Sequence, residues 1–182
     1  MSVEVVLATS EQWDAVAAIF SGRRGPNACW CQRFRLHDLE DNQAALRQEI
    51  DAASVPIGLV AYLDQSPAGW SRVVPRRDLP GVSANTAVQR FYENDAYGAD
   101  VSWWVSCFAV RRVHRGNGVG VTLLRAAVEF AHGQGASVLD GHPVDVEGLQ
   151  AGPSPSALFT GTRTMFVAAG FTEIDVLAAV GR

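Results

Sequence analysis

The sequence predicts an α/β (α+β) domain built on a mixed, mostly antiparallel sheet flanked by helices. Two apolar stretches, residues 57–63 and 68–74, flank Asp64-Gln65-Ser66-Pro67, a turn sequence that joins antiparallel strands as a hairpin. Downstream, an apolar strand over residues 101–110, a glycine-rich turn, an amphipathic helix and another strand follow one another, so helices alternate with strands. With 182 residues, 48% of them apolar, the chain fits one core and needs no linker, so residues 1–182 read as a single domain.

Each element has a local reason. Residues 3–8 read as the first strand, closed by Thr9, whose hydroxyl caps a helix together with Gln12 three positions on. Trp13, Val16 and Phe20 then share one helical face, and Ser21-Gly22-Arg23-Arg24-Gly25-Pro26 ends that helix ahead of a loop holding Cys29-Trp30-Cys31. A second helix spans about residues 36–53, with Asp38, Glu40 and Asp41 near its positive end and Leu39, Leu46 and Ile50 facing the core. Residues 75–99 form a polar insertion bearing proline and glycine, with a short helix near 88–93; it is either a cover for the site or a passive surface loop.

Trp103 and Trp104 point to opposite faces of their strand, so at least one belongs to the core. The helix over residues 118–132 turns Val121, Leu124, Val128 and Ala131 inward and Thr122, Arg125, Glu129 and His132 outward, and Gly133-Gln134-Gly135 stops it. A strand over 136–142, a long loop over 143–160, a short helix over 162–169 ending at Gly170, and an extended stretch over 171–180 complete the chain.

Composition narrows the function. A formal charge of -4 with dispersed acidic residues offers no sustained basic face, which argues against nucleic acid. Three cysteines argue against a disulfide scaffold and for a reducing compartment. With no basic leader at Met1-Ser2-Val3 and no apolar run near about 18 residues, the reading is a cytoplasmic chain without a membrane span. Cys29 and Cys31 beside His37 lack a second cysteine pair, so no metal is expected; Trp30 and Phe34 read as packing residues or as the acceptor pocket wall.

The informative stretch is the turn after the central strand. A strand feeding a glycine-rich turn that opens a helix aims free backbone N–H groups and the positive helix end at one small volume, which suits a phosphate. Arg111, Arg112 and Arg115 add charge nearby. A Walker loop is excluded because Gly120 is followed by Val121, and no Gly-Lys-Ser/Thr occurs elsewhere. The dinucleotide fingerprint fits poorly, since Val121 stands where its third glycine belongs.

Arg115-Gly116-Asn117-Gly118-Val119-Gly120 has the form R-x-x-G-x-G and resembles the pyrophosphate loop of the GNAT superfamily of acyl-CoA-dependent N-acyltransferases. The preceding Phe108-Ala109-Val110 and the later Met165-Phe166-Val167-Ala168-Ala169-Gly170-Phe171 extend the resemblance, in the family's order.

The resemblance implies a sheet splayed between two strands, here between residues 105–110 and 138–142, with pantetheine entering the gap. It implies acetyl-CoA as co-substrate, its pyrophosphate on the N–H groups from Gly116 through Val119 to Val121. A backbone N–H at Phe108, Ala109 or Val110 would meet the oxyanion formed when an amine attacks the thioester. Asp140 is the first candidate for the base, with His142 the alternative of better intrinsic pKa; Asp140 capping the Gly141 turn and His142 as a loop residue are the competing structural readings.

The family's usual thiolate acid, a tyrosine four residues before the Gly of Gly-Phe, is replaced by Phe166. Thr162, Thr164, Cys107 or water remain for that task. The family also commonly finishes in a strand hairpin, and only one extended segment is evident here; the last strand is absent, very short or supplied by a partner, which leaves room for a homodimer. Two readings compete with an N-acetyltransferase acting on a small-molecule or peptide amine: an acyl-CoA-binding regulatory or sensor module, and a phosphate-binding module of another fold.

Overall fold

Short apolar segments separated by cap and turn residues assemble into a five-stranded sheet in the order β1-β2-β3-β4-β5. The computed structural model describes residues 1–21, 29–35, 41–84, 89, 101–147 and 158–174. β1 (Val3–Leu7), β2 (Gly58–Leu63), β3 (Ser66–Pro75) and β4 (Ser102–Val110) pair antiparallel in succession, and β5 (Val138–Asp140) adds parallel to β4. The sheet is thus mixed and mostly antiparallel, as the sequence predicts.

The β2–β3 hairpin is tighter than expected. Asp64 and Gln65 alone make the turn, at φ 46° and 67°, the left-handed pair whose twist suits a two-residue hairpin. Ser66 and Pro67 already belong to β3, and a register shift between Ala61 and Tyr62 lies beside Pro67.

Helix α1 (Trp13–Phe20) follows a 3-10 turn, Ser10–Gln12. The Gln12 side chain reaches back to Thr9, taking its N–H at 3.2 Å and its hydroxyl at 2.6 Å. α2 (Asn42–Ala52) starts later than the expected position 36, because Asp41 caps it: its carboxylate accepts from the N–H groups of Gln43 at 2.9 Å and Ala44 at 3.0 Å. Such a cap contributes about 1 kcal/mol. Leu46 and Ile50 are buried as expected, whereas Asp38, Leu39 and Glu40 lie outside the described residues. So does the helix expected over 88–93, apart from Gln89. In the insertion, a four-residue helix, α3 (Pro80–Ser83), follows β3.

α4 (Val119–Gly133) packs against the sheet on Val119, Leu123, Leu124, Ala127 and Ala131. The expected inward face holds at Leu124 and Ala131 but not at its other two positions: Val128 is 42% exposed and Val121 only half-buried. The i, i+4 row from Val119 through Leu123, Ala127 and Ala131 is the one that faces the sheet. Its end is as expected, with Gly135 at φ 88° and Ala136 N–H returning 3.0 Å to the Ala131 carbonyl. β5 is shorter than the strand expected over 136–142. α5 (Arg163–Ala168) begins where the Thr162 hydroxyl accepts from Met165 N–H at 3.3 Å. Residues 171–174 are in no strand, and the rest of the extended stretch expected there lies outside the described residues.

Two apolar layers hold the sheet. On one face Trp103, Val105 and Phe108 meet Leu123 and Leu124 of α4 and Phe166 of α5. On the other, Trp70, Cys107 and Ala109 meet Val16 and Phe20 of α1. Trp103 and Trp104 are both buried, Trp104 among Val74, Leu79 and Val82. Among the described residues, no helix is long and apolar enough to cross a membrane.

Candidate functional site

β4 runs from Ser102 to Val110, but its ladder with β5 covers only Ser102–Trp104 opposite Val138–Asp140. Beyond Trp104 the two strands part, at the place where the family resemblance puts the splay. On the β3 side the register shifts, Arg72 facing Cys107 and Val73 facing Val105, so Ser106 is an extra residue in a bulge. On the open side, the Phe108 N–H donates to the Phe159 carbonyl at 2.6 Å. Phe166 wedges the gap: its ring meets Phe108 edge-on at 6.1 Å, and a Cβ on Gly141 would stand 2.6 Å from it.

The chain after β4 makes the glycine turn. Arg115 Nε donates to the Val110 carbonyl at 3.2 Å, and Asn117 Nδ2 to the Arg115 carbonyl at 3.2 Å, which folds the turn over the strand end. Gly116 and Gly118 have φ of 79° and 75°, a backbone state that side chains resist. Gly118 is the N-cap of α4, and the first N–H to enter the helix ladder is that of Thr122, 3.0 Å from the Gly118 carbonyl. Among the described residues, the N–H groups from Gly116 to Val121 have no acceptor. A Cβ built on Gly116 or Gly118 meets nothing within 4 Å among the described residues. Gly120 is needed for another reason: its missing Cβ leaves room for Met165 Sδ from α5. Arg112 and Arg115 are exposed beside the turn, and Arg111 is tied to the Pro67 carbonyl at 3.2 Å. An oxyanion group such as a pyrophosphate fits this cradle.

The other candidates flank the gap. Asp140 ends β5 opposite Trp104 and is half-buried. His142 lies against Trp104, ring centroids 4.5 Å apart, and its Nε2 is buried without a hydrogen-bond partner among the described residues. Burial holds its pKa below the usual 6.5, so it stays neutral and able to accept a proton. Cys107 turns to the α1 side of the sheet, opposite Phe108, and lies in the same buried cluster as Cys31. Phe166 is 4% exposed and enclosed by aromatic rings, so no hydroxyl stands at that position.

The acetyltransferase (GNAT) family model matches residues 27–146, well over half of the chain. The chain belongs to the GNAT acetyltransferase family. Solved structures with the same GNAT fold include an aminoglycoside N-acetyltransferase, AAC(6')-Iy, in complex with CoA, at 13% identity and TM-score 0.59, covering 100% of this chain and 95% of that one. AAC(6')-Iy with the bisubstrate analogue CoA-S-monomethyl-acetylneamine gives 12% identity and TM-score 0.60, covering 100% and 99%. At these identities the likeness is one of fold. No curated protein matches the sequence.

Within this GNAT framework, the Ser106 bulge, the Phe159 carbonyl and Met165 against Gly120 had no local sequence signal, since each depends on a partner distant in the chain. Trp30 is a packing residue, stacked on Phe20 at 5.2 Å and Trp13 at 6.0 Å, while Phe34 meets Phe159 at 5.8 Å. Among the described residues, no three His, Cys, Asp or Glu side chains are grouped to hold a metal ion.

Proposed function

We propose that this GNAT chain is an acetyl-CoA-dependent N-acetyltransferase that acts on a primary amine of a small molecule or peptide. The observation that carries the reading is the fan of unpartnered N–H groups from Gly116 to Val121, set directly after the strand that parts from β5. Acetyl-CoA supplies a thioester, an activated acyl group that an amine attacks directly. The loop N–H groups hold the pyrophosphate, and the α4 dipole adds to that hold. Phe108 N–H exchanges the Phe159 carbonyl for the thioester oxygen and stabilises the charge that develops there. Asp140 takes the amine proton, with His142 as the alternative base. The thiolate takes its proton from water or from the Thr162 or Thr164 hydroxyl, because Cys107 is buried on the α1 side of the sheet and Phe166 has none to give. That vacancy favours the second reading, a GNAT module that binds acyl-CoA and transfers nothing.

Calorimetric titration with acetyl-CoA, with ATP and NAD as controls, tests the donor site. Selective binding followed by free-thiol release over an amine panel supports the enzyme; binding without release over that panel supports the sensor. No binding by folded protein would reduce the glycine turn to a structural feature.

For the base, Asp140→Asn is expected to lower kcat by about 100-fold or more while acetyl-CoA affinity is kept. An unchanged rate and pH profile would pass the role to His142. The acidic limb should then inflect below pH 6.5, since burial lowers that pKa, and should vanish in His142→Gln.

A further inference from the structure

On the sheet face turned to α1, one sulfur meets a buried guanidinium. Arg72 on β3 faces Cys107 on β4 in the strand register, and both are almost fully buried, at 1% and 3% exposure. Over them sits Cys31, 4% exposed, whose Sγ accepts from Arg72 Nε at 3.4 Å and which shares one buried cluster with Cys107. The Trp70 indole N–H lies in the same buried cluster and has no hydrogen-bond partner among the described residues. A guanidinium N–H on a buried sulfur suits a thiolate.

The segment that delivers the sulfur is strained. Trp30 and Cys31 occupy the left-handed region in succession, at φ 44° and 61°, where neither side chain is at ease. Glu49 of α2 holds the segment down: it pairs with Arg72 at 2.6 Å and Arg35 at 2.5 Å and accepts from Gln32 at 3.0 Å. Burial pushes the Cys31 thiol up, but the neighbouring Cys107 thiol and the Arg72 charge outweigh it and bring the pKa down to about 7. Cys107 is pushed well above its ordinary value and keeps its proton. Cys29 is not the matching thiolate: it is only partly buried, and burial raises its pKa above the ordinary value.

We propose that Cys31 and Cys107 form a redox pair, a modification site at which a hydroperoxide closes a reversible intrachain disulfide between the 29–35 segment and β4. The Cys31 thiolate attacks the O–O bond of the hydroperoxide, becomes a sulfenic acid and releases an alkoxide, or hydroxide from hydrogen peroxide, which takes a proton from water. The Cys107 thiol then attacks the Cys31 sulfur and the S–O bond breaks; the S–S bond forms and one water leaves with the Cys107 proton. Two thiols lose two electrons, and the peroxide gains them.

The test uses the full chain, reduced, desalted and treated with hydrogen peroxide at about pH 8, with circular dichroism confirming that it stays folded. The three free thiols should fall to one, the intact mass should fall by about 2 Da, and a tryptic map should join the Cys31 peptide to the Cys107 peptide. Dithiothreitol should reverse all three changes. Cys107→Ser should stop at a Cys31 sulfenic acid that dimedone traps, and Cys29→Ser should still close the bridge. Retention of all three thiols in the folded wild-type chain, or a bridge from Cys29 to Cys31, would overturn the assignment. Neither readout requires acetyl transfer, so the pair stands or falls independently of the proposed activity.

Discussion

Gly118→Glu is expected to abolish acetyl-CoA binding while leaving the sheet intact. Gly118 is both the N-cap of α4 and a residue at φ 75°, and a Cβ built on it meets nothing within 4 Å among the described residues. A glutamate there brings two penalties. The left-handed backbone costs about 1–2 kcal/mol for a residue with a Cβ. The carboxylate also stands among the N–H groups meant for phosphate oxygens, and like-charge juxtaposition costs several kcal/mol. At about 1.4 kcal/mol per tenfold, the charge alone predicts a loss of roughly 100- to 1,000-fold. Gly118→Asn separates the two penalties, because asparagine tolerates this backbone and is neutral. Calorimetry should show Gly118→Asn within about tenfold of the parent chain and Gly118→Glu without measurable binding. Retained affinity in a folded Gly118→Glu variant would mean that the turn is not where the anion sits.

The turn was legible because its logic is local: glycines at fixed offsets, a strand before and a helix after. The same holds for Thr9 with Gln12, for the hairpin at Asp64-Gln65 and for the stop at Gly135. Val128 marks where local reading slipped, since two apolar rows ran along one helix and only the sheet decides which is covered. The splay could be placed only through the family resemblance; its details, the Ser106 bulge, the Phe159 carbonyl and the Phe166 wedge, required tertiary contacts. Arg72 is the clearest omission. In sequence it follows Ser71 inside a mostly apolar strand, and nothing within that strand announces that Glu49 and Cys31, 23 and 41 residues away, come to meet it.

That arginine sets up the second large effect, on stability. Glu49→Ala should destabilise the fold by about 3–5 kcal/mol, the usual result of leaving one buried charge of a pair uncompensated. Arg72, 1% exposed, would keep only the Cys31 sulfur, while Arg35 and Gln32 would lose the carboxylate that holds the 29–35 segment against β3. Arg72→Met in the Glu49→Ala background should recover much of that loss, because the stranded charge disappears and an apolar side chain takes its place. Urea unfolding should show lower midpoints with unchanged slopes for the single variant and a partial return for the double.

Acidity offers a parallel readout. Burial pushes the Glu49 carboxyl up, but Arg72, Gln32 and Arg35 together hold it below its ordinary 4.5. The folded state then binds fewer protons than the unfolded state near that pH. The pair's contribution is complete above about pH 4.5 and fades as pH falls through the depressed value, a slope that Glu49→Ala should remove. A Glu49→Ala loss below about 1 kcal/mol would show that water reaches the guanidinium on opening the site, and that Arg72 is not held by Glu49 in the way its burial implies.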